Sequence, residues 1–497
     1  MRHDVVIVNV PPLEGNYLPA APAILKGCCQ HLGISSITLD LNLDFLEQCR
    51  QENIEFQAKL AGVTEDMIPD LSLQNITDKL IETWAVKILE HRPKIVSISF
   101  FSWYSQYFGK HLSKAIKLRD KDCKIIIGGS GIKESMNAIP MFAENLKNQA
   151  YIDLYIDGDG EIPWYNFLVD FFQLNYNAVD ASSLNFPWIP DYSDYEIARY
   201  KNFLKDSTSQ LYVPITGSRG CVRRCNFCEV HEHWQFVQRS AVHIIQEIKS
   251  ILHLVDKPHF HFTDSLINGN LKEFDLLINE LIALRTSHDF SWGGQFIIRS
   301  QSQFGEDRWR RLAQSGVRQL EIGVETGSEE LRYKMDKPFT NADLDFSMAM
   351  MSKYQITCIF LIIIGHPDES DSDFDKTIAM MEKYLPYQHI ITSVQLGHAV
   401  AIQPGTPLYD NRQQLGIVVG KNPTIWMAVN NSELTYSKRR HRRIHASNAV
   451  KKLGYTLAQS EHAALAEMQH AEDKFQKQIT VVEHALSKIM INLSEAA

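Results

Sequence analysis

The most informative segment of the sequence is Tyr212-Val-Pro-Ile-Thr-Gly-Ser-Arg-Gly-Cys221-Val-Arg-Arg-Cys225-Asn-Phe-Cys228-Glu. Its first residues, Tyr212–Thr216, predict a short strand, and a loop with three cysteines follows at once. Three thiols on one loop can converge on a soft metal centre, because thiolates suit zinc and iron–sulfur clusters. The loop is rich in glycine and arginine, which argues against three cysteines that merely fill a hydrophobic core.

Two metal centres are compatible with this loop. A cubane cluster held by three thiolates leaves one iron open to an exogenous ligand, which serves chemistry better than plain electron transfer. A zinc site needs four ligands, and the sequence has no second Cys-x2-Cys pair. His231 or His233 could supply the fourth zinc ligand, so a zinc-binding structural or RNA-interaction module is the alternative.

Six predicted strands alternate with helical patterns from residue 211 to residue 415. They are Tyr212–Thr216, His259–Thr263, Trp292–Ile298, Gln319–Glu325, Ile356–Ile364 and Ile391–Leu396. Strands that are each followed by a crossover predict a partial (β/α)6 TIM-like barrel, with active groups at the carboxyl ends of the strands. The cysteine loop follows the first of these strands, as that architecture requires.

An earlier series of strands and helices occupies residues 1–175. Its predicted strands are Val5–Val10, Ser36–Leu41, Ile95–Phe101, Lys124–Ile127 and Tyr151–Ile156. Continuous apolar runs predict strands buried on both faces, and hence an α/β domain with a doubly wound, Rossmann-like parallel sheet. Residues 176–210 are predicted to be a surface linker, and residues 416–497 a C-terminal helical region without strands that ends in a packed helix.

Composition narrows the function classes. The chain has 497 residues, 44% of them hydrophobic, and a net charge of −9. The acidic balance disfavours a generic nucleic-acid or membrane-surface binder. The longest apolar run, Cys358–Ile364, is far shorter than a membrane helix, and the first residues predict a strand, not a signal peptide. We therefore expect a cytoplasmic enzyme.

The basic stretch Lys438–Arg443 is interpreted as a solvated helix face or a clamp for an anionic substrate.

The pattern Cys-x3-Cys-x2-Cys, with an aromatic residue before the last cysteine, resembles the signature of radical S-adenosylmethionine enzymes. The resemblance implies that Cys221, Cys225 and Cys228 hold a 4Fe–4S cluster. It also implies that S-adenosylmethionine binds the fourth iron and is cleaved reductively to a 5′-deoxyadenosyl radical. An external electron donor such as flavodoxin or ferredoxin would supply the electron.

The resemblance extends along the later strands. It assigns cofactor contacts to Phe227 and Gly365 near the adenine, Thr263 and Asp264 near the methionine amine, Gln295 and Arg299 at the third strand, and Glu325 at the ribose. An arginine can bind a carboxylate through two parallel hydrogen bonds, and a glutamate can accept from a vicinal diol.

The amino-terminal loops resemble the cobalamin-binding domain found in one subclass of these enzymes. The matching residues are Pro11, Pro12, Gly128, Gly129, Gly158, Gly160 and Glu161. The Asp-x-His-x-x-Gly motif that supplies a lower ligand to cobalt is absent, so the resemblance implies no protein histidine on that face. Together with the barrel it implies cobalamin-dependent methylation of an unactivated carbon of a small-molecule substrate. Radical rearrangement, cyclisation or sulfur insertion is the alternative.

Overall fold

The computed structural model describes residues 2–60, 62–133, 139–180, 182–205, 210–230, 235–396, 400–458 and 475–490. The chain divides into two compact units, and the second contains the cysteine loop. The first unit comprises residues 1–215 and 242–261, and the second comprises residues 216–241 and 262–497. No helix of the described ranges is both long and apolar enough to cross a membrane.

The first unit contains a five-stranded parallel sheet. Its strands are β1 (Val5–Val10), β2 (Ser36–Asp40), β3 (Ile95–Phe100), β4 (Lys124–Gly128) and β5 (Leu154–Ile156). They lie in the order β2-β1-β3-β4-β5, and each neighbouring pair is parallel. The chain therefore winds outward in both directions from β1, which confirms the predicted doubly wound sheet.

Helices cover both faces of this sheet. They are α1 (Ala20–His31), α2 (Leu41–Gln51), α3 (Phe56–Lys59), α4 (Leu71–Glu90), α5 (Ser105–Arg119), α6 (Phe142–Asn148), α7 (Glu161–Phe172) and α8 (Ile197–Leu204). A further helix, α9 (Ala241–Leu252), lies later in the chain. Along β1, Val6 and Val8 belong to one hydrophobic core, and Val5 and Ile7 belong to the other. Alternate residues of a strand point to opposite faces, so a wholly apolar strand is buried on both.

The predicted linker packs firmly within the first unit. Lys26 of α1 is only 4% exposed, and its ammonium lies 2.9 Å from Asp191 and 2.6 Å from Asp194. A Cβ at Gly27 would collide with the backbone of Ile189, so α1 has a glycine where this segment crosses it. The segment is thus a strap fixed to α1 by buried charges.

The second series of strands forms a six-stranded sheet. Its strands are β6 (Tyr212–Ile215), β9 (His259–Phe262), β10 (Ser291–Phe296), β11 (Val317–Glu325), β12 (Thr357–Ile362) and β13 (Ile391–Leu396). The order is β13-β12-β11-β10-β9-β6, and the three pairs from β10 to β13 are parallel. All six predicted strands are present, and the mixed α/β architecture with a partial barrel is confirmed.

Helices connect these strands, and a small hairpin follows β6. The helices are α10 (Leu271–Arg285), α11 (Glu306–Gln314), α12 (Glu329–Lys334), α13 (Asn341–Tyr354), α14 (Asp371–Lys383) and α15 (Pro407–Asp410). The hairpin pairs β7 (Ser218–Arg219) with β8 (Val237–Gln238), so the segment before the cysteines is itself held in a short ladder.

The expectation that strands end near residue 415 is wrong. Strands β14 (Ile417–Val419) and β15 (Trp426–Ala428) form an antiparallel hairpin. Each strand has only three residues, which is too short for alternation to be visible in the sequence. Trp426 is fully buried and anchors this hairpin in a hydrophobic cluster of the second unit.

The interpretation of Lys438–Arg443 as a solvated helix face is also wrong for three of its members. The stretch lies in α16 (Tyr436–Lys452), and Arg439, Arg442 and Arg443 are 1%, 6% and 3% exposed. The Arg439 guanidinium lies 3.8 Å from the Trp426 ring centroid and donates to backbone carbonyls. An arginine can be buried when its N–H groups meet acceptors, and burial lowers the pKa of Arg439 to about 9.

The last described segment, residues 475–490, is the helix α17. Ile479, Val482 and Leu486 share a hydrophobic cluster with Ile425 and Met427 of the hairpin region. The sequence predicted a helix packed on the body, and the structure confirms it for these residues. Met468 and Leu493, which contributed to the same pattern, lie outside the described residues.

We expect Arg439→Met to lower the free energy of unfolding by about 3 kcal/mol, because it leaves three buried carbonyls without a donor. Guanidinium titration followed by circular dichroism measures the change. Lys452→Met, at the exposed end of the same helix, is the control and should change stability little. Equal effects of the two substitutions would contradict the buried role of Arg439.

Candidate active site

A buried carboxylate fastens the segment that leads into the cysteine loop. Asp264, 3% exposed, accepts hydrogen bonds from Gly217 N at 2.8 Å and from the Ser218 hydroxyl at 2.5 Å. Burial raises the pKa of Asp264 to about 7, against the opposing effect of these two hydrogen bonds. Its described partners are loop atoms, so its contact with a methionine amine stays a prediction.

The cysteine loop is also tied to the end of α12. Asn226 N donates to Met335 O at 3.2 Å, and the Asn226 amide donates to Lys334 O at 2.7 Å. His366, fully buried, lies 3.1 Å from Asn226 Oδ1, and burial lowers its pKa to about 3. A neutral His366 therefore donates from Nε2 to Asn226. These contacts place the middle of the loop at a fixed position.

The three thiols of the loop are partly or wholly shielded from water. Cys225 is 8% exposed, Cys221 and Cys228 are half-buried, and all three are free. Burial raises the pKa of each thiol, that of Cys225 to about 12, and the Lys337 ammonium is a nearby charge that opposes the rise. Buried thiols without a metal remain protonated, whereas a bound metal stabilises thiolates, so these residues fit an iron–sulfur cluster.

Glu325 ends β11 and forms an ion pair with Lys337. Both side chains are largely buried, with 8% and 12% exposure. Glu325 has a positive φ of 64°, and the pairing of β11 with β12 shifts between Gly323 and Glu325. A side chain at Gly323 would collide with both charged groups. The absence of a Cβ there leaves room for the pair beside the strand.

Arg299 has unused hydrogen-bonding capacity in the site. Its Nη2 donates to the carbonyls of Asn268 and Gly269 at 2.7 and 2.8 Å, while its Nε is buried without a partner among the described residues. The Asn268 amide donates to Ile297 O and accepts from Ile297 N, which fixes the segment after β10. Burial lowers the pKa of Arg299, and the nearby Arg223 lowers it further. Two neighbouring guanidinium groups suit an anionic ligand.

Gly365 follows β12 and adopts a positive φ of 86°. Its N–H donates to Glu369 Oε2 at 3.0 Å, and Arg442 donates to the same oxygen at 2.7 Å. Burial raises the pKa of Glu369 to about 7. A Cβ at Gly365 would lie 2.8 Å from Arg439 Cδ, so the helix α16 closes over this turn. Gly365, which is predicted to lie near the adenine, is thus part of a turn held by these contacts.

The remaining predicted contacts lie in the same unit but differ in exposure. Thr263 is exposed, and its hydroxyl lies 3.3 Å from that of Thr216. Gln295 is exposed, and it lies within β10, not after it. Phe227 is half-buried against the cluster around Trp426. The cofactor roles of these residues stay predictions.

In the first unit, Gly128 and Gly129 lie at the end of β4. Gly129 has a φ of 102°, and a Cβ there would collide with the Phe100 carbonyl. This glycine is therefore explained by the close approach of two loops. Pro11 is buried and Pro12 half-buried at the end of β1. Asn42 accepts from Leu13 N at 2.7 Å and donates to Leu13 O, which fixes the loop after the prolines.

Gly158 and Gly160 differ from these glycines because a Cβ at either position would meet open space. Glu161, which is 7% exposed, begins α7 directly after them. At the end of β3, Phe101 is 61% exposed, and Trp103 stacks on Tyr104 with ring centroids 3.7 Å apart. Open backbone and an exposed aromatic ring at strand ends suit a large, flat ligand.

Residues 215–381 match the family model described as "Radical SAM superfamily". These residues form a radical S-adenosylmethionine domain. Such a domain carries a 4Fe–4S cluster and S-adenosylmethionine, and the matched range includes the cysteine loop and the strands from β9 to β12.

The curated relatives that the chain matches are distant. It is 22% identical over 322 residues to a tRNA-2-methylthio-N(6)-dimethylallyladenosine synthase of Vesicomyosocius okutanii, covering 62% of this chain and 67% of that protein. It is 20% identical over 347 residues to an anaerobic magnesium-protoporphyrin IX monomethyl ester cyclase of Cereibacter sphaeroides, covering 66% and 55%. The chain thus spans between about half and two thirds of their lengths.

Solved structures share the fold over more of the chain. The methyltransferase TsrM of Kitasatospora setae, solved with cobalamin and a 4Fe–4S cluster, is 15% identical with a TM-score of 0.56, covering 84% of this chain and 77% of that one. The cobalamin-dependent radical enzyme OxsB is 17% identical with a TM-score of 0.56, covering 82% and 55%. Identities this low establish the fold alone.

The zinc alternative receives no support from the described residues. In these ranges, no three His, Cys, Asp or Glu side chains converge closely enough to hold one metal ion. A cubane cluster does not need that convergence, because each thiolate binds a different iron. His231 and His233, the suggested fourth zinc ligands, lie outside the described residues.

Sequence reasoning missed the residues that support the site. Lys337 has no motif of its own, and only its pairing with Glu325 reveals it. Asn226 lies between two cysteines, where the sequence assigns it no role, but it ties the loop to α12. Asn268 belongs to no predicted site, although an asparagine after a strand is a common backbone anchor.

We expect Lys337→Met to lower the free energy of unfolding by about 3 kcal/mol, because it leaves the Glu325 carboxylate buried without its cation. The double variant Lys337→Met/Glu325→Gln should recover most of the loss. Denaturant titrations of the wild type, Lys337→Met, Glu325→Gln and the double variant give the coupling free energy between the two side chains. Strictly additive effects would contradict the ion pair.

Proposed function

We propose that the protein is a radical S-adenosylmethionine enzyme that uses cobalamin to methylate an unactivated carbon of a small-molecule substrate. The observation that carries the proposal is the cysteine loop. Cys221, Cys225 and Cys228 lie on a loop that is anchored before its first cysteine by Asp264 and in its middle by Asn226, within a radical S-adenosylmethionine domain. Three protein thiolates leave one iron of a cubane open, and that iron is the site at which S-adenosylmethionine binds.

When bound, the cluster and S-adenosylmethionine supply a carbon-centred radical that removes a hydrogen atom from the substrate. The residues of the chain hold these groups in place. The three cysteines ligate the cluster, and the Lys337 ammonium offsets part of the negative charge gathered there. Shielding of the thiols from water favours this compensation, since charges interact more strongly in a low-dielectric site.

The nucleoside and amino-acid parts of S-adenosylmethionine fit the polar groups around the loop. The free Nε of Arg299 suits the methionine carboxylate, next to Arg223. The Glu325 carboxylate suits the ribose hydroxyls, and Lys337 keeps that carboxylate oriented. The remaining proposed contacts are Thr263, Asp264 and Gln295 toward the methionine amine, and Phe227 and Gly365 toward the adenine.

The first unit is proposed to bind cobalamin. Support comes from the doubly wound sheet, from the fold shared with TsrM and OxsB, and from the strand-end loops. The open backbone at Gly158 and Gly160, and the exposed Phe101 ring, leave room for a flat macrocycle. Pro11, Pro12, Gly128, Gly129 and Glu161 form the neighbouring strand ends, and we propose no histidine ligand below the cobalt.

The enzyme requires an external reductant. On the cysteine loop, Val222 is 42% exposed and Arg224 is exposed. An apolar side chain beside a cation suits the rim of an acidic electron-transfer protein such as flavodoxin or ferredoxin. We also propose a cytoplasmic location, because all eight cysteines are free thiols and a cluster with an open iron needs a reducing compartment.

The cluster is tested by Cys225→Ala. Anaerobically reconstituted wild-type protein should be brown with about four iron and four sulfide per chain, and the variant should lose colour and S-adenosylmethionine cleavage together. Cys49→Ala, a buried cysteine of the first unit, is the control and should keep both. Cleavage retained by Cys225→Ala would refute the assignment. Formation of S-adenosylhomocysteine alongside 5′-deoxyadenosine separates methylation from other radical reactions.

Cobalamin binding is tested by Gly160→Leu. Gly160 has a φ of −84° and open space at its Cβ position, so the fold should tolerate leucine while the side chain fills the proposed site. We expect about tenfold less cobalamin to be retained through gel filtration, measured by absorbance. Gly305→Leu, at an ordinary φ of −75° in the second unit, is the control. Unchanged retention in Gly160→Leu would remove this loop from the site.

A further inference from the structure

One face of β11 carries a charged residue that the proposed mechanism does not use. Leu320, Ile322 and Val324 are 0% exposed and point to the helix-covered face of the sheet. Glu321 and Gly323 alternate with them and point to the opposite face, the interior of the partial barrel. Glu321 is half-buried, so its carboxyl lies within this interior and remains accessible.

The strand register gives Glu321 its neighbours. Gln295 of β10 pairs with Glu321, and Glu321 pairs with Ile359 of β12. Ile359 pairs with Ser393 of β13. Directly paired residues of parallel strands share a face and lie about 4.8 Å apart, so these four side chains form a continuous row across the barrel interior.

A second row lies one step closer to the carboxyl ends of the strands. Gly323 pairs with Leu361, and Leu361 pairs with Gln395. The glycine carries no side chain, and the Glu325–Lys337 ion pair occupies the adjacent space. The two rows together form a surface with one carboxyl, two amides and one hydroxyl among aliphatic side chains.

The polar members of these rows have no partners within the described ranges. The side chains of Gln295, Glu321, Ser393 and Gln395 make no hydrogen bond or ion pair with other described residues. Gln295 is exposed to solvent, but Glu321, Ser393 and Gln395 are half-buried. Polar groups shielded from water are normally paired, and a carboxyl without a cation carries the highest cost. Burial raises the pKa of Glu321, because the protein interior disfavours its charged form. A ligand that supplies donors would remove this cost.

We propose that Glu321 is a substrate-binding residue that accepts hydrogen bonds from a protonated amine of the substrate, between the amides of Gln295 and Gln395. The inference rests on the proposed function, since it takes the barrel interior as the reaction chamber. Neither row contains a lysine or arginine, and the adjacent Lys337 is already paired with Glu325, so a carboxylate or phosphate would find no unpaired counter-charge there. The substrate class is therefore a small molecule that carries a basic amine.

The depth of Glu321 suits a small molecule. Glu321 and Glu325 are four residues apart on β11, which corresponds to about 13 Å between their Cα atoms. A substrate whose amine is bound at Glu321 thus extends along the strand toward the carboxyl ends, where the cysteine loop lies. In this arrangement Glu321 fixes which carbon of the substrate faces the radical.

The test uses the full chain with a reconstituted cluster and an equimolar mixture of n-butylamine, n-butanol and butyrate. Saturation-transfer NMR should show the strongest signal for the amine with wild-type protein. Glu321→Gln should weaken amine binding about fivefold or more, since it removes the charge but keeps the shape, while butanol stays unchanged. The exposed Glu382→Gln on α14 is the control and should bind as wild type does.

Equal amine signals for wild type and Glu321→Gln, or a preference for butyrate, would overturn the proposal. The melting temperature separates substrate binding from a purely structural role of Glu321. Its replacement by Gln or Leu would then lower the melting temperature, whereas release of an unpaired buried carboxyl should leave it unchanged or raise it. Iron content and S-adenosylmethionine cleavage, measured on the same samples, report separately on the proposed function, so a missing cluster is not confused with a missing amine site.

Discussion

The hydrogen bonds from the loop backbone and hydroxyl to buried Asp264 are the constraint on which the site depends. They join the segment before the first cysteine to Asp264, two residues beyond the end of β9, and a carboxylate with two donors defines that junction more tightly than apolar contact does. The middle of the loop is held separately by Asn226 and the end of α12. The position of the thiols therefore depends on these polar anchors as well as on packing.

The second unit also concentrates its buried charge around the carboxyl ends of the strands. Glu325 pairs with Lys337, and Glu369 pairs with Arg442 of α16. A buried pair is costly to break but contributes little net stability, so such pairs are better explained by orientation than by energy. Helix α16 consequently belongs to the architecture of the site, because its Arg439 packs against the turn at Gly365.

The sequence predicted the strands well because they are long apolar runs closed by turn residues. β1 and β13 match their predicted bounds, and β11 begins only two residues earlier than expected. Partners that join residues distant in the chain could not be predicted. Lys337 meets Glu325 across a helix and a turn, and nothing in the local pattern marks it. The burial of two arginines of α16 could not be predicted for the same reason. Arg439 donates to Trp426 O in a hairpin too short to predict, and Arg442 donates to Glu369, which is more than seventy residues away in the chain.

The strap between the two strand series limits where an amino-terminal fragment of the polypeptide can end. A fragment that stops after α7 would retain Lys26 inside α1 but remove Asp191 and Asp194, so an ammonium group would be left enclosed without counter-ions. The same cut would remove Tyr200, which donates to the buried Asp40 at the end of β2. An autonomous amino-terminal piece therefore has to run at least through Leu204, well beyond its last sheet strand.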